Sequence, residues 1–279
     1  MEIAFSPCPN DTFVFHAAVH GLIPNVPKLD VTYADIDKTN YWAAEGKGPA
    51  IQKISYAALP YVLEEYALIP CGGALGRGCG PLLLTASKDQ SPSHLTGKRV
   101  AVPSERSTAY LLFRLWAADM VPGGVGEIVV MPFHEIMPAV RDGEIDAGLV
   151  IHEARFTYQE FHLNMLVDLG NWWEEDTQLP IPLGAIIAHR SLNKEEITSW
   201  IRASVEYAWA NPEASVDYVM QHAQELSPEV AKSHIDLYVN SFTADLGEDG
   251  MAAVASLLGR AGAEGLVPEF DLSLLRIGL

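Results

Sequence analysis

Short apolar runs alternate with helical stretches from Glu2 to Ala188, and that alternation leaves few folds open. Residues 2–6, 29–36, 82–85, 98–103, 127–131 and 180–188 read as strands, with shorter ones ending near Lys53–Ser55 and just before His152. Helices are expected between them at residues 12–20, 39–45, after Ser55, at 107–116 and at 133–142. Strands joined through helices lie parallel, so an α/β fold with mostly parallel sheets is expected. The polar stretch 87–97 and the proline-flanked strand at 180–188 mark two crossings between lobes. The expected division is a large lobe of residues 1–86 and 186–279 and a small lobe of 87–185, with a ligand cleft between them. From Asn193 the pattern turns helical, with Asn193 and Glu196 as a capping pair and Asn211-Pro212 and Ser227-Pro228 as further starts.

Eighteen basic against thirty-six acidic residues give a net charge of −18, which argues against nucleic acid or an anionic membrane as partner. A small anionic ligand needs only a few local donors and stays open. No apolar run approaches the roughly twenty residues of a membrane span. The N-terminus shows no basic region followed by an apolar stretch, so a cytoplasmic location is expected. Cys8, Cys71 and Cys79 form no Cys-x-x-Cys pair and read as reduced thiols.

Chemistry concentrates at strand ends. In Asp146-Ala147-Gly148-Leu149-Val150-Ile151-His152 a buried strand delivers a histidine at its carboxyl end, where ligands sit in open α/β sheets. Histidine titrates near neutrality and suits proton transfer; a backbone-satisfied strand-end residue is the competing reading. Glu153 or Arg155 can orient His152, or form a surface ion pair. Two strand–hydroxyl–helix turns, Lys53-Ile54-Ser55 and Ser107-Thr108-Ala109, offer helix amides and hydroxyls to an anion, the first with its lysine as well; a surface lysine beside an ordinary cap is the competing reading there. Asn10 or Asp11 is expected to cap the first helix. His16 and His20, one helical turn apart, lack a third ligand and read as a structural or solvated pair. Trp172 and Trp173 either cover a planar ligand or pack in a core. The five glycines between Gly72 and Gly80 lack the Lys-Ser/Thr ending of a phosphate loop and precede a strand, so a close-packed crossing loop is expected.

Several long motifs then occur in one order: Ser6-Pro7-Cys8-Pro9-Asn10-Asp11-Thr12-Phe13, Lys53-Ile54-Ser55-Tyr56, Gly72-Gly73-Ala74-Leu75-Gly76-Arg77-Gly78, and Leu149-Val150-Ile151-His152-Glu153-Ala154-Arg155-Phe156-Thr157-Tyr158. With Trp172-Trp173-Glu174-Glu175 and Leu179-Pro180-Ile181-Pro182-Leu183-Gly184, the chain resembles the 1,4-dihydroxy-6-naphthoate synthase family of the futalosine route to menaquinone. The resemblance runs over nearly the whole chain and is weakest after about residue 195. It implies a type II periplasmic-binding-protein fold used by a cytoplasmic, cofactor-independent lyase, which splits cyclic dehypoxanthine futalosine. It also implies His152 as proton acceptor, with Lys53, Ile54, Ser55, Ser107, Thr108 and Ala109 as substrate contacts. Threonine is expected where Ser107 stands, and either residue supplies a hydroxyl. Chorismate dehydratase, of the same pathway and fold, and a non-catalytic solute-binding protein are the competing readings. A ligand-sensing regulatory domain lacks any DNA-binding segment.

Overall fold

The computed structural model describes residues 1–88, 91–152, 154–223 and 227–276. The chain falls into two compact units, Met1–Gly76 with Pro182–Leu279, and Arg77–Ile181. The first crossing therefore comes before the strand at Leu82 rather than after it, because that strand hydrogen-bonds two strands of the second unit.

In the first unit β1 (Glu2–Phe5) leads into α1 (Pro9–Val19). Proline at the first helical position already has the φ a helix needs, so α1 opens at Pro9 and not at Thr12. Cys8 takes the cap position without a side-chain bond, which leaves Asn10 and Asp11 inside the first turn rather than capping it. Every residue from Pro9 to Ala18 is buried, as a helix packed on all sides requires. Phe15 stacks on Phe5 of β1 with ring centroids 4.6 Å apart. On the helix Lys194–Ala210, Ser204 donates its hydroxyl to Val14 O at 2.6 Å and accepts from Ala18 N at 3.2 Å.

β2 (Asp30–Tyr33), α2 (Ile36–Ala44), β3 (Ile51–Ser55) and β4 (Tyr66–Gly76) follow. β2 is shorter than its apolar pattern because Ile36 already opens α2. A 3₁₀ turn, Tyr56–Tyr61, stands where a helix after Ser55 was expected. β4 absorbs much of the glycine stretch, which is strand and not loop. A Cβ on Gly73 would lie 2.6 Å from Gly184 O, so only glycine lets the two strands approach this closely.

The second unit holds β5 (Leu82–Thr85), β6 (Val100–Val102), α3 (Thr108–Met120), β7 (Ile128–Val130) and α4 (Phe133–Arg141). β8 (Ala147–Val150), the single turn α5 (Ala154–Thr157), β9 (Asn164–Asp168) and α6 (Leu169–Thr177) complete it. Its sheet runs β7-β6-β8-β5-β9, with β6 parallel to β7 and β8 and β5 antiparallel to β8 and β9. Leu84, Ala101, Ile136, Val140 and Val150 pack together beneath it.

The chain returns through β10 (Ile181–His189) and then α7 (Lys194–Ala210), α8 (Val216–His222), α9 (Pro228–Tyr238), α10 (Ser241–Ala244) and α11 (Gly247–Ala263). The sheet of the first unit is ordered β2-β1-β3-β10-β4, with β1 parallel to β2 and β3 and β10 antiparallel to β3. Both sheets are thus mixed, where mostly parallel ones were expected. The reversed strands β5 and β10 are those that carry the chain out of its crossings without a helical return. Asn193 and Ser227 cap as expected, accepting from Glu196 N at 3.2 Å and Val230 N at 3.3 Å. Asn211 instead donates its amide to Tyr207 O at 3.1 Å, and Pro212 opens a 3₁₀ turn. No helix among the described residues is long and apolar enough to cross a membrane.

His16 and His20 join an aromatic cluster. Their rings lie 4.6 Å apart, His20 meets Tyr218 edge-on at 4.8 Å, and His222 stacks on Tyr33 at 4.1 Å. Burial, and then the neighbouring His20, hold both His16 and His222 below the ordinary value of 6.5. The unfolded chain therefore binds these protons more readily than the folded one, and stability falls as pH drops below that value. The melting temperature is expected to be lower at about pH 5.5 than at about pH 7.5, and His222→Gln to narrow the gap. An unchanged gap in that variant would assign the acid sensitivity elsewhere.

Candidate active site

β8 is buried along its whole length, which gives the residues that follow it a rigid base. At His152 the backbone turns left-handed, with φ of 57°. For a residue with a Cβ this costs roughly 1–2 kcal/mol, and it persists only where the surroundings enforce it. The imidazole is half-buried and meets the ring of Phe133, the first residue of α4, at 5.9 Å. A strand end, an apolar neighbour and partial exposure are what a general base needs to stay fixed and still reach a substrate.

Arg155 does not form an open surface pair. Its Nη2 donates to Asp168 Oδ2 at 2.6 Å and its Nη1 to Gly80 O at 2.7 Å. Asp168 spends its other oxygen on the amides of Gly170 and Asn171, at 2.9 and 3.2 Å, capping α6. Glu153 lies outside the described residues. Trp173 is core, fully buried with its Nε1 donating to Pro180 O at 3.0 Å, while Trp172 beside it is half-buried. Burial pushes the Cys79 thiol up to about 12 despite the nearby Arg155, and Cys71 similarly, so neither is a nucleophile at neutral pH.

Ser107 caps α3. Its oxygen accepts from Tyr110 N at 3.1 Å while its hydroxyl donates to Ser104 O at 3.0 Å. Thr108 and Ala109 follow in the first turn, both buried. This turn and His152 belong to the second unit.

In the first unit Lys53 is 5% exposed on β3 and pairs its ammonium with Asp11 on α1. Asp11 also accepts from Ser6 N at 3.3 Å and from the Asn10 amide at 2.8 Å, and Asn10 Oδ1 meets His234 Nε2 at 3.1 Å. Ile54 is fully buried next along the strand. Ser55 does not cap the turn after it; its backbone N–H donates to Asn40 Oδ1 at 2.7 Å and its hydroxyl accepts from Asn40 Nδ2 at 3.0 Å. Sequence reasoning passed over Asn40 and Asp168, and gave Asp11 a different task. Asp168 was findable, since an aspartate before Leu169-Gly170-Asn171 is a helix-start signal. Among the described residues no group of three His, Cys, Asp or Glu side chains is placed to hold a metal ion.

Residues 1–263 match the menaquinone biosynthesis family. This chain belongs to that family. Two relatives, both named 1,4-dihydroxy-6-naphthoate synthase, accompany the family member. One from Streptomyces coelicolor is 67% identical over 96% of this chain and 95% of its own length. One from Thermus thermophilus is 47% identical over 95% of each. Among solved structures, a protein from Archaeoglobus fulgidus superposes with a TM-score of 0.86 at 34% identity, covering 95% of this chain and 98% of that one. The alkanesulfonate-binding protein SsuA of Xanthomonas axonopodis pv. citri superposes with a TM-score of 0.72 at 13% identity, covering 96% and 94%. That likeness gives the menaquinone-family member a periplasmic-binding-protein fold.

Proposed function

We propose that this protein is a 1,4-dihydroxy-6-naphthoate synthase, a lyase that cleaves cyclic dehypoxanthine futalosine with His152 as general base. The observation that carries the reading is the 67% identity to a relative of that name along nearly the whole of both chains. The left-handed, Phe133-backed His152 at the end of β8 supports the base, because its geometry is held at an energetic cost. In this reading Lys53, Ile54, Ser55, Ser107, Thr108 and Ala109 contribute substrate contacts. The Lys53 ammonium is already matched by Asp11, so a substrate carboxylate is also drawn to the N-terminal end of α3 through the helix dipole of its opening amides. Those amides act without lowering the net negative charge of the chain. His152 takes the proton whose removal lets the carbon–carbon bond break, and no cofactor is required. The location is cytoplasmic, and the partner is a small anionic molecule rather than nucleic acid or membrane.

The test is a mass-spectrometric assay of the purified protein with cyclic dehypoxanthine futalosine, and with chorismate in parallel. Dihydroxynaphthoate from the first and no dehydration of the second is the expected result. Turnover of chorismate alone would transfer the protein to the dehydratase step.

A further inference from the structure

We propose that Arg155 and Asp168 form a positioning clamp that fixes the backbone turn at His152, an inference that rests on His152 acting as the base. One rung of the second sheet sets the geometry. Val150, the last residue of β8, lies opposite Leu82 of β5, and Leu82 lies opposite Asp168 of β9. Beyond Val150 the chain leaves the ladder, turns left-handed at His152 and enters α5. From α5 the Arg155 guanidinium reaches back to Asp168 Oδ2, at the β9 end of that rung, at 2.6 Å and to Gly80 O, two residues before Leu82, at 2.7 Å. The turn carrying His152 is thus tied at one end by the ladder and at the other by the clamp.

Both anchors are closely packed. Asp168 is 6% exposed and uses its second oxygen on two α6 amides. Gly80 lies directly against Gly170, where a Cβ would come within 2.1 Å of Gly170 N. Within the turn Arg155 N donates to His152 O at 3.4 Å, a long bond that contributes little. A planar guanidinium serves two acceptors on separate segments at once, whereas a lysine ammonium on one flexible stem does so poorly. Charge alone is not the point: the fork fixes direction.

The experiment uses the full chain with carbon-13-labelled histidine, the His152 ring signal being identified by its loss in His152→Asn. Arg155→Ala, Arg155→Lys and Asp168→Asn are compared for kcat, KM, melting temperature and that ring signal. Arg155→Ala is expected to lower kcat by about 10- to 100-fold with KM within about twofold, because misplacing a catalytic group by an ångström costs on that order. Arg155→Lys falls between, and the His152 signal shifts or broadens while those of the distant histidines stay put. A His152 signal unmoved in either folded Arg155 variant overturns the clamp, whatever the activity. A kcat that falls only in proportion to unfolded protein also overturns it, leaving a structural ion pair. Full turnover by His152→Asn overturns the base reading alone, and the ring signal then decides the clamp independently.

Discussion

Replacement of His152 by asparagine is expected to reduce dihydroxynaphthoate formation by about 10²- to 10⁴-fold, the usual contribution of a positioned base. Asparagine is the informative substitution because it tolerates the left-handed backbone, with φ of 57° at this position, better than alanine does. It keeps a polar side chain of similar reach but has no group that takes a proton near neutral pH. The imidazole is half-buried against Phe133, so little core is lost and the melting temperature should stay close to that of the parent. The loss should appear in kcat, with substrate affinity retained. Unchanged product formation in a folded His152→Asn protein would remove the base role and leave the reaction to other groups. His152→Ala, by contrast, mixes loss of the base with added backbone strain, and its melting temperature should fall further.

The largest effect on stability is expected at Asp11. Its carboxylate is the buried partner of Lys53, with side chains 2% and 6% exposed. It also accepts from Ser6 N and the Asn10 amide. Asp11→Ala leaves an ammonium without its counter-charge and two donors without an acceptor. Breaking a buried pair from one side costs roughly 3–5 kcal/mol. For a chain of this size that corresponds to a fall in melting temperature on the order of 10 °C. The double variant Asp11→Asn, Lys53→Met should be more stable than Asp11→Ala alone, since no charge is then stranded. Calorimetry with both variants reads this directly. A loss under about 1 kcal/mol in Asp11→Ala would mean that other groups satisfy the ammonium.

Some of this was legible in the residues and some was not, for physical reasons. β1, β5 and β8 announce themselves because their apolar side chains repeat as buried strands do. β4 hides because glycine has no side chain to carry a period, although its close approach to Gly184 is the reason the glycines are there. Strand direction was misjudged because local pattern says nothing of which way a strand enters its sheet. The position of His152 followed from the strand before it. Its left-handed turn did not, since neither glycine nor asparagine marks the site. Lys53 stood out as a cation at a strand end, but its partner lies 42 residues earlier, and Asp168 lies on β9, 13 residues from Arg155 on α5. Pairs of that kind are made by topology, which a linear reading does not hold.

The late arrival of β10 bears on how the protein comes off the ribosome. The unit Arg77–Ile181 is contiguous, and its whole sheet has been synthesised by the time Ile181 emerges. The other sheet lacks its β3–β10 contacts until residue 189 is made, and α1 lacks the Ser204 contact until α7 follows. Non-local pairings of this length close slowly, because chain entropy is spent before contacts repay it. The nascent chain should therefore carry a finished inner module while β1, β3 and the apolar α1 still wait, exposed, for their partners. That interval is where a chaperone has most to do.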